Sequence, residues 1–326
     1  MKAIALFSGG LDSLLAIKLI QSQGTEVIAV AFRSPFYIAS EEKKKKLEKV
    51  AKKNKFKIKF IEFGKDYLKL IRKPKYGYGK NLNPCIDCHA FMLKKAKKYA
   101  NKINASFIFT GEVLNERPLS QNRQSLDIVE KESGLKGKLL RPLSAKLLPK
   151  TEAEKKKIVN RNKLLDISGR SRKRQFKLAR KFGIKEFETP AGGCLLTNKE
   201  YSNKLRDLFN NNKKIDLDDI KLLRVGRHFR VRKNKIIVGR NEKENKALLK
   251  SKQKSDIILE VKDYVGPITI LKGKLTKKAI QLAASLTARY SDAKRHKVIV
   301  RYYKGKIKRE VVVNKLKDRE IGKLRI

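Results

Sequence analysis

The chain has 326 residues, of which 40% are hydrophobic and 7% aromatic. That is room for about two globular domains and too apolar for a disordered chain. Lys and Arg number 82 against 32 Asp and Glu, a net charge of +50. Such a charge repels itself and calls for a polyanionic partner; as no apolar run reaches the ~18 residues of a membrane span, nucleic acid is expected and a membrane is not. The three cysteines read as ligands or nucleophiles in a reducing cytoplasm rather than as staples.

From Ala3 the pattern runs apolar strand (AIALF), glycine-rich turn (SGGLDS), helix (LLAIKLIQSQ), Gly24 and a second strand (EVIAVAF). Both strands are continuous apolar runs, as parallel strands covered on two faces must be. A basic helix is predicted over 40–54, a third strand over 57–63, a helix over 85–103 and a fourth strand over 106–112. The alternation predicts an α/β domain built on a doubly wound parallel sheet. The polar stretch NNNKKIDLDD at 210–219 marks a division, giving one domain over 1–212 and a smaller α+β domain over 213–326. In the second, strands are predicted at 235–238, 256–261 and 268–271 and a helix at 276–290. An antiparallel pair, KVIVRYY and KIKREVVV, closes it through Lys304-Gly305.

The turn Ser8-Gly9-Gly10-Leu11-Asp12-Ser13 joins the first strand to the first helix. Adjacent glycines let backbone N–H groups approach an anion, Ser8 and Ser13 add hydroxyl donors, and the helix presents its positive end. Asp12 would repel a phosphate, so its expected task is to hold Mg²⁺ or orient the loop. No GxxxxGK[ST] or GxGxxG stands here, which disfavours a Walker kinase or a dinucleotide dehydrogenase.

SGGLDS resembles the pyrophosphate loop (PP-loop) of the ATP pyrophosphatases, which include tRNA thiolation enzymes, GMP synthetase and asparagine synthetase. The resemblance implies an adenine nucleotide alpha hydrolase-like fold and activation of a carbonyl oxygen by adenylation. Asn83-Pro84-Cys85-Ile86-Asp87-Cys88-His89 and Thr189-Pro190-Ala191-Gly192-Gly193-Cys194 resemble the two cysteine elements of the tRNA thiouridylases and ThiI-like sulfurtransferases. In that family the cysteines relay sulfur as a persulfide or, where there are three, bind a [4Fe–4S] cluster with one iron free. Read as residues, Cys85 and Cys88 share a helix face. Three thiolates without a fourth suit a cluster with an open iron. A persulfide relay through Cys194 and Cys88 would need lowered thiol pKa values; zinc with His89 as fourth ligand and inert buried thiols are the other readings. The segment Gly111 to Pro118, with Ser120 and Gln121 after it, follows the fourth strand, and that position suggests nucleotide contact; by the same resemblance Thr110 and Gly111 are expected to line the adenylate pocket. Gln121, Arg123 and Arg141 are weaker candidates for phosphate or RNA contact.

A polyanion surface is predicted on a helix opening near Ser168, where Arg170, Lys173, Arg174, Lys177 and Lys181 fall on one side and Phe176, Ala179 and Phe182 on another. In the second domain, Val238 to Asn245, Asp256 to Asp263, Gly266-Pro267 and the Ala-rich run 279–284 resemble the NFACT-R RNA-binding module. Arg240 and Asn241, in a turn after a strand, are expected to meet phosphate or ribose, and His228 and His296 read as surface positions.

The expected function is ATP-dependent tRNA thiolation: ATP and Mg²⁺ at the Gly-rich loop, Asp12, Cys88 and Cys194 in catalysis, Cys85, Cys88 and Cys194 as cluster ligands, and tRNA and a sulfur donor (a persulfide protein or sulfide) as partners. A non-catalytic, ATP-sensing RNA-binding factor and an amide- or lysidine-type ligase acting on RNA are the alternatives.

Overall fold

A computed structural model describes residues 1–37, 40–187, 194–274, 276–305 and 307–326. The chain forms two compact units, Met1–Thr197 and Asn198–Ile326. Among the described residues no helix is long and apolar enough to cross a membrane.

The first unit runs β1 (Lys2–Leu6), α1 (Leu11–Gln21), β2 (Glu26–Arg33), α2 (Glu41–Lys53), β3 (Lys57–Glu62), α3 (Lys65–Arg72), α4 (Cys85–Lys102), β4 (Phe107–Phe109), α5 (Arg123–Ser133), β5 (Leu139–Leu140), α6 (Glu152–Lys155) and α7 (Lys173–Lys181). Its five strands are parallel in the order β3-β2-β1-β4-β5. Because side chains alternate along a strand, Ala3, Ala5 and Phe7 enter one core with Leu14, Leu15, Leu47 and Ala179 from α1, α2 and α7. On the other face α4 packs against β1 and β4. Helices on both faces make the sheet doubly wound, as the continuous apolar strands require. Strand order reverses between β1 and β4, and the loops leaving their carboxyl ends border the crevice where ligands of open α/β sheets bind.

The second unit runs α8 (Lys199–Asn211), α9 (Leu217–Leu222), β6 (Arg227–Val231), β7 (Asn234–Val238), α10 (Glu242–Ser251), β8 (Ile257–Val261), β9 (Thr269–Lys272), α11 (Lys277–Arg289), β10 (Lys297–Lys304), β11 (Ile307–Asn314) and α12 (Asp318–Leu324). Six antiparallel strands lie in the order β11-β10-β8-β9-β7-β6. Ala283, Ala284 and Leu286 of α11 cover one face; Leu222 and Leu248, from α9 and α10, meet Ile237 and Ile270 on the other.

The division therefore falls ahead of α8, not behind it at 212. That helix begins at the cap Asn198, whose side chain accepts from Tyr201 N at 2.9 Å. It is held to the second sheet by Asp207, which takes two hydrogen bonds from Arg230. The polar run at 210–219 is the turn into α9, within the unit.

Candidate functional site

The loop after β1 has the form its residues dictate. Gly9 takes φ +84°, a conformation that favours glycine, and extended Gly10 caps α1. No side chain accepts from the first turn of α1, so its N–H groups stay available to an anion. Ser13 Oγ donates to Gly10 O at 2.8 Å and lies 3.4 Å from Ser8 Oγ, so both hydroxyls gather on one side of the loop. Gly111, after β4, lies backbone to backbone on this loop: a Cβ there would stand 2.4 Å from Ser13 N and 2.5 Å from the Asp12 carbonyl carbon. The side chain of Thr110 is committed elsewhere, donating to Glu112 Oε2 at 3.0 Å.

Around the loop are charged groups whose hydrogen bonds are unfinished. Asp12 Oδ1, both polar atoms of the Gln175 amide, and Arg172 Nε and Nη2 are buried and make no aligned hydrogen bond among the described residues. Arg172 Nη2 is 3.5 Å from Asp12 Oδ2 and its Nε 3.9 Å from Glu116 Oε1, distances of attraction rather than of bonding. Burial raises the Asp12 carboxyl pKa against the pull of Arg172 and Arg117; burial and the Asp12 charge together push Glu116 up to about 7. Buried polar atoms without partners cost free energy. A bound polar group would relieve several at once.

Beside this lies a closed cluster. Glu112 accepts from Arg141 Nε at 3.0 Å and from Thr110, and its other oxygen lies 2.8 Å from His89 Nδ1. Arg141, 2% exposed, also pairs with Glu130. Burial would raise the Glu112 pKa, but Arg141 and His89 outweigh it and hold it at about 2. Arg141 is thus consumed inside the protein, which corrects its reading as a phosphate or RNA contact. Gln121 is buried as well, and the exposed Arg123 lies 3.4 Å from Asp127.

Cys85 opens α4 and Cys88 follows one turn later. The Cys194 segment is pinned beside them: Leu195 N donates to Phe36 O at 3.1 Å, Leu82 N to Leu196 O at 3.1 Å, and Asn81 Nδ2 to Thr197 O at 2.7 Å. The thiols lie within electrostatic reach of one another, Cys85 and Cys194 both raising Cys88. Tyr67, buried on α3, places its hydroxyl 3.1 Å from Cys88 Sγ. Burial, then the neighbouring thiols, push Cys88 up to about 12; burial raises Cys194 to about 11 and also raises Cys85. These thiols are protonated at neutral pH, the opposite of the lowered values a persulfide relay needs. Among the described residues no three His, Cys, Asp or Glu side chains form a ready site for one metal ion. The remainder of the second cysteine element, Thr189 to Gly193, lies outside the described residues.

The basic helix α7 differs from its expected form. Arg170 precedes it, Phe176 is 42% exposed, and the buried positions are Gln175 and Ala179. The helix packs on α1, so its inner side carries an amide toward Asp12 where apolar packing was expected. Arg170, Lys173, Arg174 and Lys177 are exposed, with Arg174 paired to Asp166. In the second unit the Asn241 side chain caps α10, accepting from Glu244 N at 3.0 Å, and Arg240 pairs with Glu244. Sequence reasoning passed over Tyr67; Glu116 and Arg117 entered it only within the segment after the fourth strand, and Arg172 and Gln175 only within the basic stretch 168–177, none with a role of its own. Only Gln175 left a signal of such a role, as the polar residue between apolar neighbours on the inner face of a helix.

Set beside known proteins, residues 1–180 match the sequence profile of the family described as thiamine biosynthesis protein (ThiI), and residues 226–325 match the NFACT protein RNA-binding domain. An uncharacterised protein of Methanocaldococcus jannaschii is 31% identical over 114 residues, 35% of this chain. The match spans only 41% of that relative's length. Among solved structures, the U34-tRNA thiolase NcsA of Methanococcus maripaludis with its [4Fe–4S] cluster is 16% identical, covering 68% of this chain and 70% of that one, TM-score 0.33. A 4-thiouridine synthetase in complex with RNA and ATP is 21% identical, covering 56% of this chain and 51% of that one, TM-score 0.35. With the profile covering more than half of its length, the chain belongs to the ThiI family, and it carries an NFACT-type RNA-binding domain behind the family's conserved part.

Proposed function

We propose that the chain is a tRNA sulfurtransferase: it uses ATP to adenylate a uridine carbonyl oxygen in tRNA and replaces that oxygen with sulfur. The oxygen attacks the α-phosphorus and pyrophosphate leaves; sulfur then adds at the ring carbon, and AMP departs with the original oxygen. The observation that carries the reading is the gathering of Cys85, Cys88 and Cys194 within electrostatic reach of one another, in the same unit as an uncapped Gly-Gly loop. Amide- or lysidine-forming chemistry needs no thiol. A purely structural RNA-binding factor has no use for buried polar atoms left unpartnered beside such a loop.

In this reading Ser8, Gly9, Gly10 and Ser13 hold the phosphates, Gly111 keeps the loop at its distance from β4, and Thr110 orients Glu112. Asp12 takes Mg²⁺, and Arg172 and Arg117 are the cations nearest to it that can meet phosphate oxygen. The thiols suit a [4Fe–4S] cluster, which supplies, when bound, an open iron able to hold sulfide. The donor set is three thiols that burial keeps protonated as free side chains, and a cationic metal centre favours their thiolate forms. Lys173, Lys177, Arg170 and Arg174 on the first unit, and Arg240 and Asn241 on the second, are proposed to steer the RNA backbone, Arg240 and Asn241 after exchanging their contacts with Glu244. The catalytic part is proposed to be the unit Met1–Thr197 and the RNA-binding part the unit Asn198–Ile326.

Cys194→Ser should lower thionucleoside formation by more than about a hundredfold while ATP binding persists. Undiminished thiolation would sink the proposal. Anaerobically purified protein should be brown and lose its visible absorption in the same variant; colourless, iron-free protein active with sulfide would remove the cluster from it.

A further inference from the structure

A second unfinished polar site lies in the NFACT-type unit, on the sheet face opposite α11. Alternation along β6, β7 and β9 brings His228, Arg230, Lys235, Ile237 and Lys272 to this face, beneath α8 and α9. The strand register sets Arg230 opposite Lys235 and Lys235 opposite Lys272. Three cations on one cross-strand row repel, and an antiparallel sheet does not adopt this without compensation. Asp207, Asp256 and Asp219 answer the three charges, but the hydrogen bonding is incomplete. Asp207 accepts from Arg230 at 2.7 and 2.5 Å, and Asp256 from Lys272 at 2.8 Å. The middle cation, Lys235, is 7% exposed; its Nζ is 3.3 Å from Asp207 Oδ2, which is already taken, and it makes no aligned hydrogen bond.

His228 is 1% exposed, which corrects its reading as a surface residue. Its Nε2 lies 2.8 Å from Val225 O. A carbonyl only accepts, so Nε2 carries the proton and Nδ1 is a bare acceptor. That Nδ1, too, makes no aligned hydrogen bond among the described residues. Both residues line a cavity of about 230 Å³, with Asp219 on its wall and the exposed Lys233 at its rim. Gly273, at φ +115°, keeps the wall thin where a Cβ would strike Asn234 Oδ1 at 2.6 Å.

A buried ammonium without an aligned hydrogen bond asks for an acceptor, and a buried imidazole acceptor asks for a donor. Inorganic phosphate supplies the first and serves the second poorly. We propose that this cavity binds one ribonucleotide unit, its phosphate on Lys235 and the Arg230–Lys272 row, and a sugar hydroxyl or base amine donating to His228 Nδ1. The cavity is smaller than drug-sized sites and suits part of a nucleotide. The proposal rests on reading this unit as an RNA holder and adds to it the residues and the chemical group that are held.

The test measures binding of a short single-stranded RNA, of each 5′-ribonucleoside monophosphate and of inorganic phosphate to the full chain. Lys235→Met should weaken RNA binding about tenfold, the equivalent of about 1.4 kcal/mol, with pyrophosphate release from ATP unchanged. His228→Phe should also weaken it, and His228→Gln, which keeps an acceptor, should recover most of the loss. A mononucleotide competing with RNA supports a unit read by itself; Lys235-dependent binding of RNA alone supports a unit read within the chain. If phosphate competes as well as every mononucleotide, or if Lys235→Met folds and binds RNA like the parent, the proposal fails. Should Lys235→Met not fold, Lys233→Glu at the rim and photocrosslinking of the unaltered chain decide: full affinity with crosslinks only outside 228–235 and 272–273 overturns it. Cys194→Ser should lose thiolation yet keep this binding, which separates failure here from failure of the thiolation reading.

Discussion

Two buried polar clusters border the exit of β4, and they differ in bookkeeping. Around Arg141 the charges find partners: Glu112, Glu130, Thr110 and His89 form one connected set. Around Asp12 the pairing is incomplete: Arg172 and Gln175 stand close, yet among the described residues several of their polar atoms make no aligned hydrogen bond. A satisfied buried network rigidifies a fold, whereas an unsatisfied one costs stability that only a ligand can return. The first cluster is closed on itself, and the second has hydrogen-bonding capacity left over.

Substitutions should separate the two. Glu112→Gln removes the anion from a buried pair and should destabilise the fold by about 3–5 kcal/mol, read as a lower denaturant midpoint. Asp12→Asn should leave that midpoint within about 0.5 kcal/mol and reduce ATP turnover by about a hundredfold, equivalent to about 2.7 kcal/mol; equal losses of stability in both variants would erase the distinction. Gly111→Ala drives a methyl group into the loop backbone and should cost about 1–3 kcal/mol as overpacking, accompanied by weaker ATP binding in a titration. Acid sharpens the contrast with the smallest effect. The Glu112 pKa is depressed to about 2 from 4.5, so its contribution is complete above pH 4.5 and is lost as pH falls toward about 2. Glu116, raised to about 7, acts oppositely: its contribution is complete below 4.5 and is lost as pH rises through about 7. Denaturant midpoints across this range should show the first loss vanish in Glu112→Gln and the second in Glu116→Gln.

The sequence made the parallel sheet legible because its strands are buried on both faces and so read as unbroken apolar runs. β6 escaped the same reading: RHFRV alternates Phe229 and Val231, facing one core, with His228 and Arg230, facing the polar cavity. A half-polar buried face looks like a loop. The loop glycines and the three thiols were readable because their chemistry is carried by residue type. Tyr67 and Arg172 were not, because nothing in a tyrosine on an amphipathic helix, or in one arginine among so many, points to a partner distant in the chain. Gln175 could have been noticed, since an amide at an inward helical position is costly unless something meets it.

The tie-down of the Cys194 segment also has a mechanical meaning. Leu195, Leu196 and Thr197 are fastened to Phe36, Leu82 and Asn81, and the second unit begins at the very next residue, Asn198. A pull carried along the chain from the second unit reaches these three anchors before it reaches Cys194. They work as a strain relief does on a cable, letting one end move while the terminal stays in register.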